Sequence, residues 1–205
     1  MERAFRLTLV VVLALLCAVP ALGATFGTDP IPVSVGPSGQ GANAPSGSAA
    51  ISGDNRTARY VAFHSNASNL VPGDTNGMQD VFLYGRPSGS AGVSRLDQQP
   101  ARPAGSLIRV SVGPHGQQAN GNSADPALDG SVQRAPRCVA FQSDATNLSP
   151  SDHDGQWDIY VHDLKAGTTR LVSGGVGPAA VDPAISGDCR QVAFTAFVRE
   201  NRPPE

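Results

Sequence analysis

A phrase written twice restricts this chain more than any other feature. Val33-Ser34-Val35-Gly36-Pro37 returns as Val110-Ser111-Val112-Gly113-Pro114, and each copy leads through a Gly/Gln-rich turn to Ala-Asn, at Ala42-Asn43 and Ala119-Asn120. Further on, Val61-Ala62-Phe63 is echoed by Val139-Ala140-Phe141 and Val192-Ala193-Phe194. Asn69-Leu70 is echoed by Asn147-Leu148, and Asp80-Val81-Phe82 by Asp158-Ile159-Tyr160. A fixed recurrence of this kind marks a repeat architecture, in which one supersecondary unit is copied and the copies stack to share a core. Phe63 and Phe141 lie 78 residues apart, Phe141 and Phe194 only 53. The surplus matches Gly/Pro/Ala-rich sequence around Pro87 to Leu107, so the basic unit is about fifty residues long.

Inside a unit the apolar segments are short, rich in Val, Ile, Phe and Tyr, and fenced by Gly, Pro, Asn and Asp. That is the pattern of strands and turns. In the second unit it predicts four strands, Asp125 to Leu128, Arg137 to Gln142, Asp158 to Asp163 and Thr168 to Ser173, with no convincing helix after the N-terminal segment. An opening strand is expected near Ile31 to Val35. The unit boundaries fall at about 31–108, 109–173 and 174–205, the last ending after its second strand. The expected class is all-β. Four-stranded antiparallel sheets that recur at this period and cannot bury both faces alone point to an incomplete β-propeller, with a β-sandwich as the alternative. About two and a half blades do not close a ring, since propellers have four or more. The chain is therefore expected to be part of a longer product, or to be completed by self-association through open strand edges.

The N-terminus sets the expected compartment. Arg3 and Arg6 precede an apolar run from Leu7 to Val19, and small residues follow at Ala21 and Gly23. This is a signal-peptide layout, with cleavage expected after Gly23 and secretion to the periplasm or the extracellular space. Leu16 before Cys17 argues against a lipid anchor. No later stretch is apolar enough for a membrane span. The formal charge is −2 and no Lys/Arg cluster is present, so nucleic acid is not an expected partner. Two cysteines follow the signal segment, Cys138 and Cys189. In an oxidising compartment they allow one disulfide, whose geometry the sequence leaves open.

The most pointed polar motif is Asp74-Thr75-Asn76-Gly77-Met78-Gln79-Asp80, repeated as Asp152-His153-Asp154-Gly155-Gln156-Trp157-Asp158. Ca²⁺ needs six to eight oxygens, and carboxylates alternating around a glycine turn supply several at once. The candidate ligands are Asp74, Asn76 and Asp80 in the first copy and Asp152, Asp154 and Asp158 in the second. The competing reading is structural: Asp and Asn build side-chain-to-backbone turns and the last Asp pins the next strand. His64, His115, His153 and His162 lack the spacing of a zinc pair. No Gly-x-Ser-x-Gly elbow is present. Trp157 is either strand-start packing or a stacking platform. Asn55, Asn66 and Asn147 each open a glycosylation tripeptide.

The spaced positions, above all Asp182-Pro183-Ala184-Ile185-Ser186-Gly187-Asp188 followed by Val192-Ala193-Phe194, resemble the TolB-like, WD-repeat-like β-propeller family. The resemblance covers nearly all of the chain after the signal segment. It implies a propeller whose blades serve as an interaction platform for a protein or cell-envelope ligand, without catalysis of its own. The alternative it carries is the propeller portion of an exported hydrolase or peptidase with its catalytic domain elsewhere.

Overall fold

The computed structural model describes residues 32–53, 59–85, 106–131 and 134–198. The expected signal segment, Cys17, Asn55 and most of the Gly/Pro/Ala-rich insertion lie outside these residues.

The described chain is all-β. The first sheet holds β1 (Ser46–Ile51), β2 (Tyr60–Ser65), β3 (Asp80–Gly85) and β4 (Ser106–Arg109). The second holds β5 (Ser123–Leu128), β6 (Cys138–Ser143), β7 (Asp158–Asp163) and β8 (Thr168–Leu171), and the third pairs β9 (Ala179–Ile185) with β10 (Val192–Phe197). Within each sheet the strands pair in chain order, all antiparallel. One 3-10 turn, Pro114–Gly116, is the only helical element among the described residues. The four strands expected in the second unit are all present, each within two residues of its expected ends. The opening strand is a correction: Val35 makes only an isolated bridge to Gly41, and the first sheet begins at Ser46. The reason lies in the repeat itself. Val33-Ser34 aligns with Val110-Ser111, which follows β4, so the phrase leaves an outer strand instead of opening a sheet.

The sheets stack in chain order. β5 packs against β1, β2 and β3, and β9 packs against β5, β6 and β7. One apolar cluster joins Ala62, Val81 and Leu83 of the first sheet to Val139, Phe141 and Tyr160 of the second. Another joins Cys138, Ala140 and Val161 to Ile185 and Val192 of the third. β6 lies between two sheets and is buried throughout, whereas β3 turns Val81 and Leu83 to the second sheet and Phe82 to its own loops, under Leu70, Val33 and Ala42, so it reads Val-Phe-Leu without alternation. In both four-stranded sheets an aromatic pair stacks between the second and third strands, Phe63 on Phe82 at 5.8 Å and Phe141 on Tyr160 at 5.9 Å between ring centres.

The glycine of the doubled phrase serves a close approach. A Cβ on Gly36 would lie 2.4 Å from the Asn69 carbonyl oxygen, and one on Gly113 would lie 2.3 Å from that of Asn147. The loops they press on are tied alike. Asn43 and Asn120 exchange hydrogen bonds with Ser68 and Thr146, and the Asn69 and Asn147 Oδ1 atoms accept from the Asn43 and Asn120 N–H groups at 3.0 Å. Asn147 also donates its Nδ2 to the Gln118 carbonyl at 2.8 Å, so the amide that a glycan would need is already a structural tie.

The two Asp-rich turns as a candidate functional site

Both Asp-rich turns connect the second strand of a sheet to its third. Each is shaped by side chains accepting from the backbone two residues on. Asn76 Oδ1 accepts from Met78 N, while Asp152 Oδ1 and Asp154 Oδ1 accept from Asp154 N and Gln156 N. Gly77 and Gly155 sit at φ 67° and 63°, where a side chain would be strained. The final Asp pins the third strand in both copies. Ser111 donates to Asp80 and accepts from Val81 N, and Ser173 does the same for Asp158 and Ile159 N. The structural role anticipated for these residues is therefore present in both turns.

The turns differ in what balances their charge. In the first, Arg109 of β4 places Nη1 3.0 Å from Asp80 Oδ2, 3.4 Å from Asp74 Oδ1 and 2.7 Å from Gln118 Oε1. Gln118 in turn donates to the Gly73 carbonyl and to Thr75, closing the loop over the guanidinium. The cation at Asp74, Asn76 and Asp80 is thus the protein's own. In the strand register Arg109 stands opposite Phe82, and the residue opposite the matching Tyr160 is Leu171. The second turn therefore carries one more carboxylate, with Asp154 where the first has Asn76, and no guanidinium. The oxygens of Asp152, Asp154 and Asp158 lie within 4.8 Å of one another. Asp152 is buried and accepts a hydrogen bond from the Tyr160 hydroxyl, a donor that Phe82 lacks in the first unit. That phenol is pushed well above its ordinary value, by burial first and then by the bond to Asp152 and the charges around it.

Burial also raises the carboxyls of Asp74, Asp80 and Asp158. Arg109 opposes the rise at the first two, Ser111 opposes it at Asp80, and Ser173 opposes it at Asp158, where Asp152 and Asp154 add to it. A fourth raised carboxyl is Asp129, in the turn between β5 and β6. Ser52 and Ser186 hold the equivalent turns by accepting from backbone N–H groups. Asp129 does so through Oδ1, from Arg137 N and Cys138 N at 2.7 Å, while its Oδ2 is buried without a partner. Desolvation is the main cause of its shift. Asp163 runs the other way: burial pushes it up, but bonds from Ala166, Arg137 and Lys165 bring it below its ordinary value. Asp188, on the surface, is lowered chiefly by Ser186.

A raised carboxyl binds its proton more tightly in the folded chain. Its contribution to stability is full below the unfolded value, about 3.9, and is lost as pH rises through the folded value. The two lowered carboxyls change stability only below that unfolded value, so in chelator the four raised ones should make the melting temperature fall as pH rises from about 4. Calorimetry upward of that pH tests this, and a flat or rising profile would contradict it.

The remaining expected site is formed. Cys138, opening β6, is disulfide-bonded to Cys189 in the turn between β9 and β10, with Cα atoms 5.9 Å apart. The bond clips the third sheet to the second. Trp157 is half-buried and its carbonyl accepts from Ala180 N at 2.6 Å. Gln79 plays the same part for Ser123 N at 2.7 Å. His162 bonds Thr169, and His64 meets the backbone of β5. Sequence reasoning missed Arg109, whose only signal is the strand register that aligns it with Leu171. No helix of the described residues is long and apolar enough to cross a membrane. No family model matches the chain, and no curated protein matches it.

Proposed function

We propose that this chain is an exported, non-enzymatic β-propeller repeat module, an interaction scaffold for a protein or cell-envelope ligand, with Ca²⁺ seated in its second Asp-rich turn. The observation that carries this reading is the unequal pair of turns. A loop built twice on one plan holds an internal guanidinium in one copy and three converging carboxylates without it in the other. The first copy spends its charge on the fold, whereas the second keeps a place for a cation from solution. Hard oxygen donors of this kind suit Ca²⁺, and a site with three carboxylates and no Glu clamp belongs at the weak end, with Kd about 10⁻⁴ to 10⁻³ M, as in extracellular modules. The remaining polar repeats tie loops to strands, and that suits a rigid frame presenting loops.

Millimolar Ca²⁺ should stabilise the chain by about 1 to 2 kcal/mol at tenfold excess over Kd, raising the melting temperature by about 2 to 6 °C. Mg²⁺ at the same concentration should do less, because it holds its water shell more tightly. Leu171→Arg, which copies Arg109 into the second sheet, should abolish the response. Isothermal titration without heat, together with an unchanged melt, would dispose of the metal. The scaffold reading is tested by sedimenting the exported protein with envelopes of the producing cells, in Ca²⁺ and in EGTA. Retention is expected, and its absence in both conditions would remove an envelope ligand.

A further inference from the structure

We infer that the two outer faces of the sheet stack bind one another between copies of the chain, head to tail, through the interface the chain already uses twice within itself. Both internal joints are made alike. The first strand of each following sheet carries a bulge with a non-glycine residue at positive φ, Asp125 at 45° in β5 and Asp182 at 55° in β9. A side chain from the second strand of the preceding sheet accepts from the N–H at that bulge: His64 Nδ1 from Asp125 N at 3.4 Å, and Gln142 Oε1 from Asp182 N at 2.9 Å. Three residues beyond each bulge an aliphatic side chain packs on the preceding sheet. Leu128 joins the cluster of Ala62 and Leu83, and Ile185 that of Ala140 and Val161.

Each outer face carries one half of this joint. At the head, β1 has the same bulge, with Ser48 at φ 47°, and the aliphatic residue three positions on is Ile51, 63 % exposed. At the tail, β10 presents Ala193 and Thr195 on its exposed face. They align with Ala62 and His64 in the first sheet and with Ala140 and Gln142 in the second. The Thr195 hydroxyl is an acceptor placed for the Ser48 N–H, and Ala193 is the floor for Ile51. Phe197 on the same face of β10 is 54 % exposed and extends the apolar surface. The second sheet packs between head and tail within one chain, so the occupant that fits is a second copy.

Two exposed positions test this without touching the internal joints. Ile51→Asp blocks the head and Ala193→Asp blocks the tail, and circular dichroism checks that both variants keep the wild-type fold. In light scattering the wild type should grow in mass with concentration. Each variant alone should associate at least about tenfold more weakly, since each contact would need one blocked face. An equimolar mixture should restore association but stop at a heterodimer, the free tail of one variant on the free head of the other. A wild type that stays monomeric would overturn the inference. So would a variant that associates as the wild type does, or a mixture that stays monomeric. None of these outcomes depends on Ca²⁺.

Discussion

Arg109→Leu should lower the unfolding free energy by about 3 to 5 kcal/mol, the cost of leaving a buried carboxylate without its partner. Asp80 is fully buried, and the Arg109 and Asp74 side chains are nearly so, at 8 % and 4 % exposed. An isolated exposed pair would contribute 1 kcal/mol or less, so burial sets the scale here. Shape is a minor part of the loss, because the second sheet already accommodates Leu171 at the aligned place. Most of the effect should therefore be recoverable by removing the orphaned charge as well. Arg109→Leu combined with Asp80→Asn should be markedly more stable than Arg109→Leu alone, a coupling that a double-mutant cycle in urea reads directly. The single variant should also gain on acidification, since protonating Asp80 relieves the penalty. A loss below about 1 kcal/mol would mean that water or a rearranged Gln118 replaces the guanidinium.

Replacing both cysteines by alanine should cost about 4 kcal/mol, the chain-entropy value for a bond closing 51 residues. The loss should not fall evenly. The third sheet has only two described strands, alternate residues of β10 are exposed, and besides the disulfide and the packing of Ile185 and Val192 it is tied by hydrogen bonds from Ala180 N to Trp157 O, Asp182 N to Gln142 and Arg134 to the Gly187 carbonyl. Once the disulfide is gone, amides of 179–197 should exchange well ahead of those in β2 and β6, whose residues lie inside the stack. Equal loss of protection in all three sheets would show that the third sheet is an integral part of one cooperative unit. The Asp129 turn, which accepts from Cys138 N, should report the change first on the second-sheet side.

The strands were legible because short Val/Ile/Phe/Tyr runs between Gly, Asn and Asp recur in register. The Asp158 to Asp163 prediction coincides with β7, and Arg137 to Gln142 is displaced by one residue from β6. The repeated phrase misled only at its first copy, where nothing local distinguishes the exit of an outer strand from the entry of a first one. At the turns, composition suggested two equal sites. What separates them is a residue 29 positions beyond Asp80, across a stretch that differs in length between the units, and only strand pairing aligns Arg109 with Leu171. The sequence offered Cys138 and Cys189 as a possible pair but left their distance open, for a similar reason. Cys138 begins a strand and Cys189 sits in a turn of the next unit, so the repeat does not pair them; the stacking of sheets does. The bulges left a trace in Asp125-Pro126 and Asp182-Pro183, but Ser48-Ala49 fills the first copy and hides the rule.

The side chains that reach the two internal bulges differ, His64 in one and Gln142 in the other, and Thr195 fills the aligned place in the third copy of an otherwise constant Val-Ala-Phe frame. A joint whose backbone geometry is fixed and whose acceptor is free to vary has an evolutionary consequence. A whole unit copied or deleted by recombination meets its new neighbours with the same bulge and the same floor, so no new packing has to be invented. Lineages carrying this unit should therefore differ by entire sheets more readily than by altered ones, and their individuality should accumulate at the joints and in the Asp-rich turns.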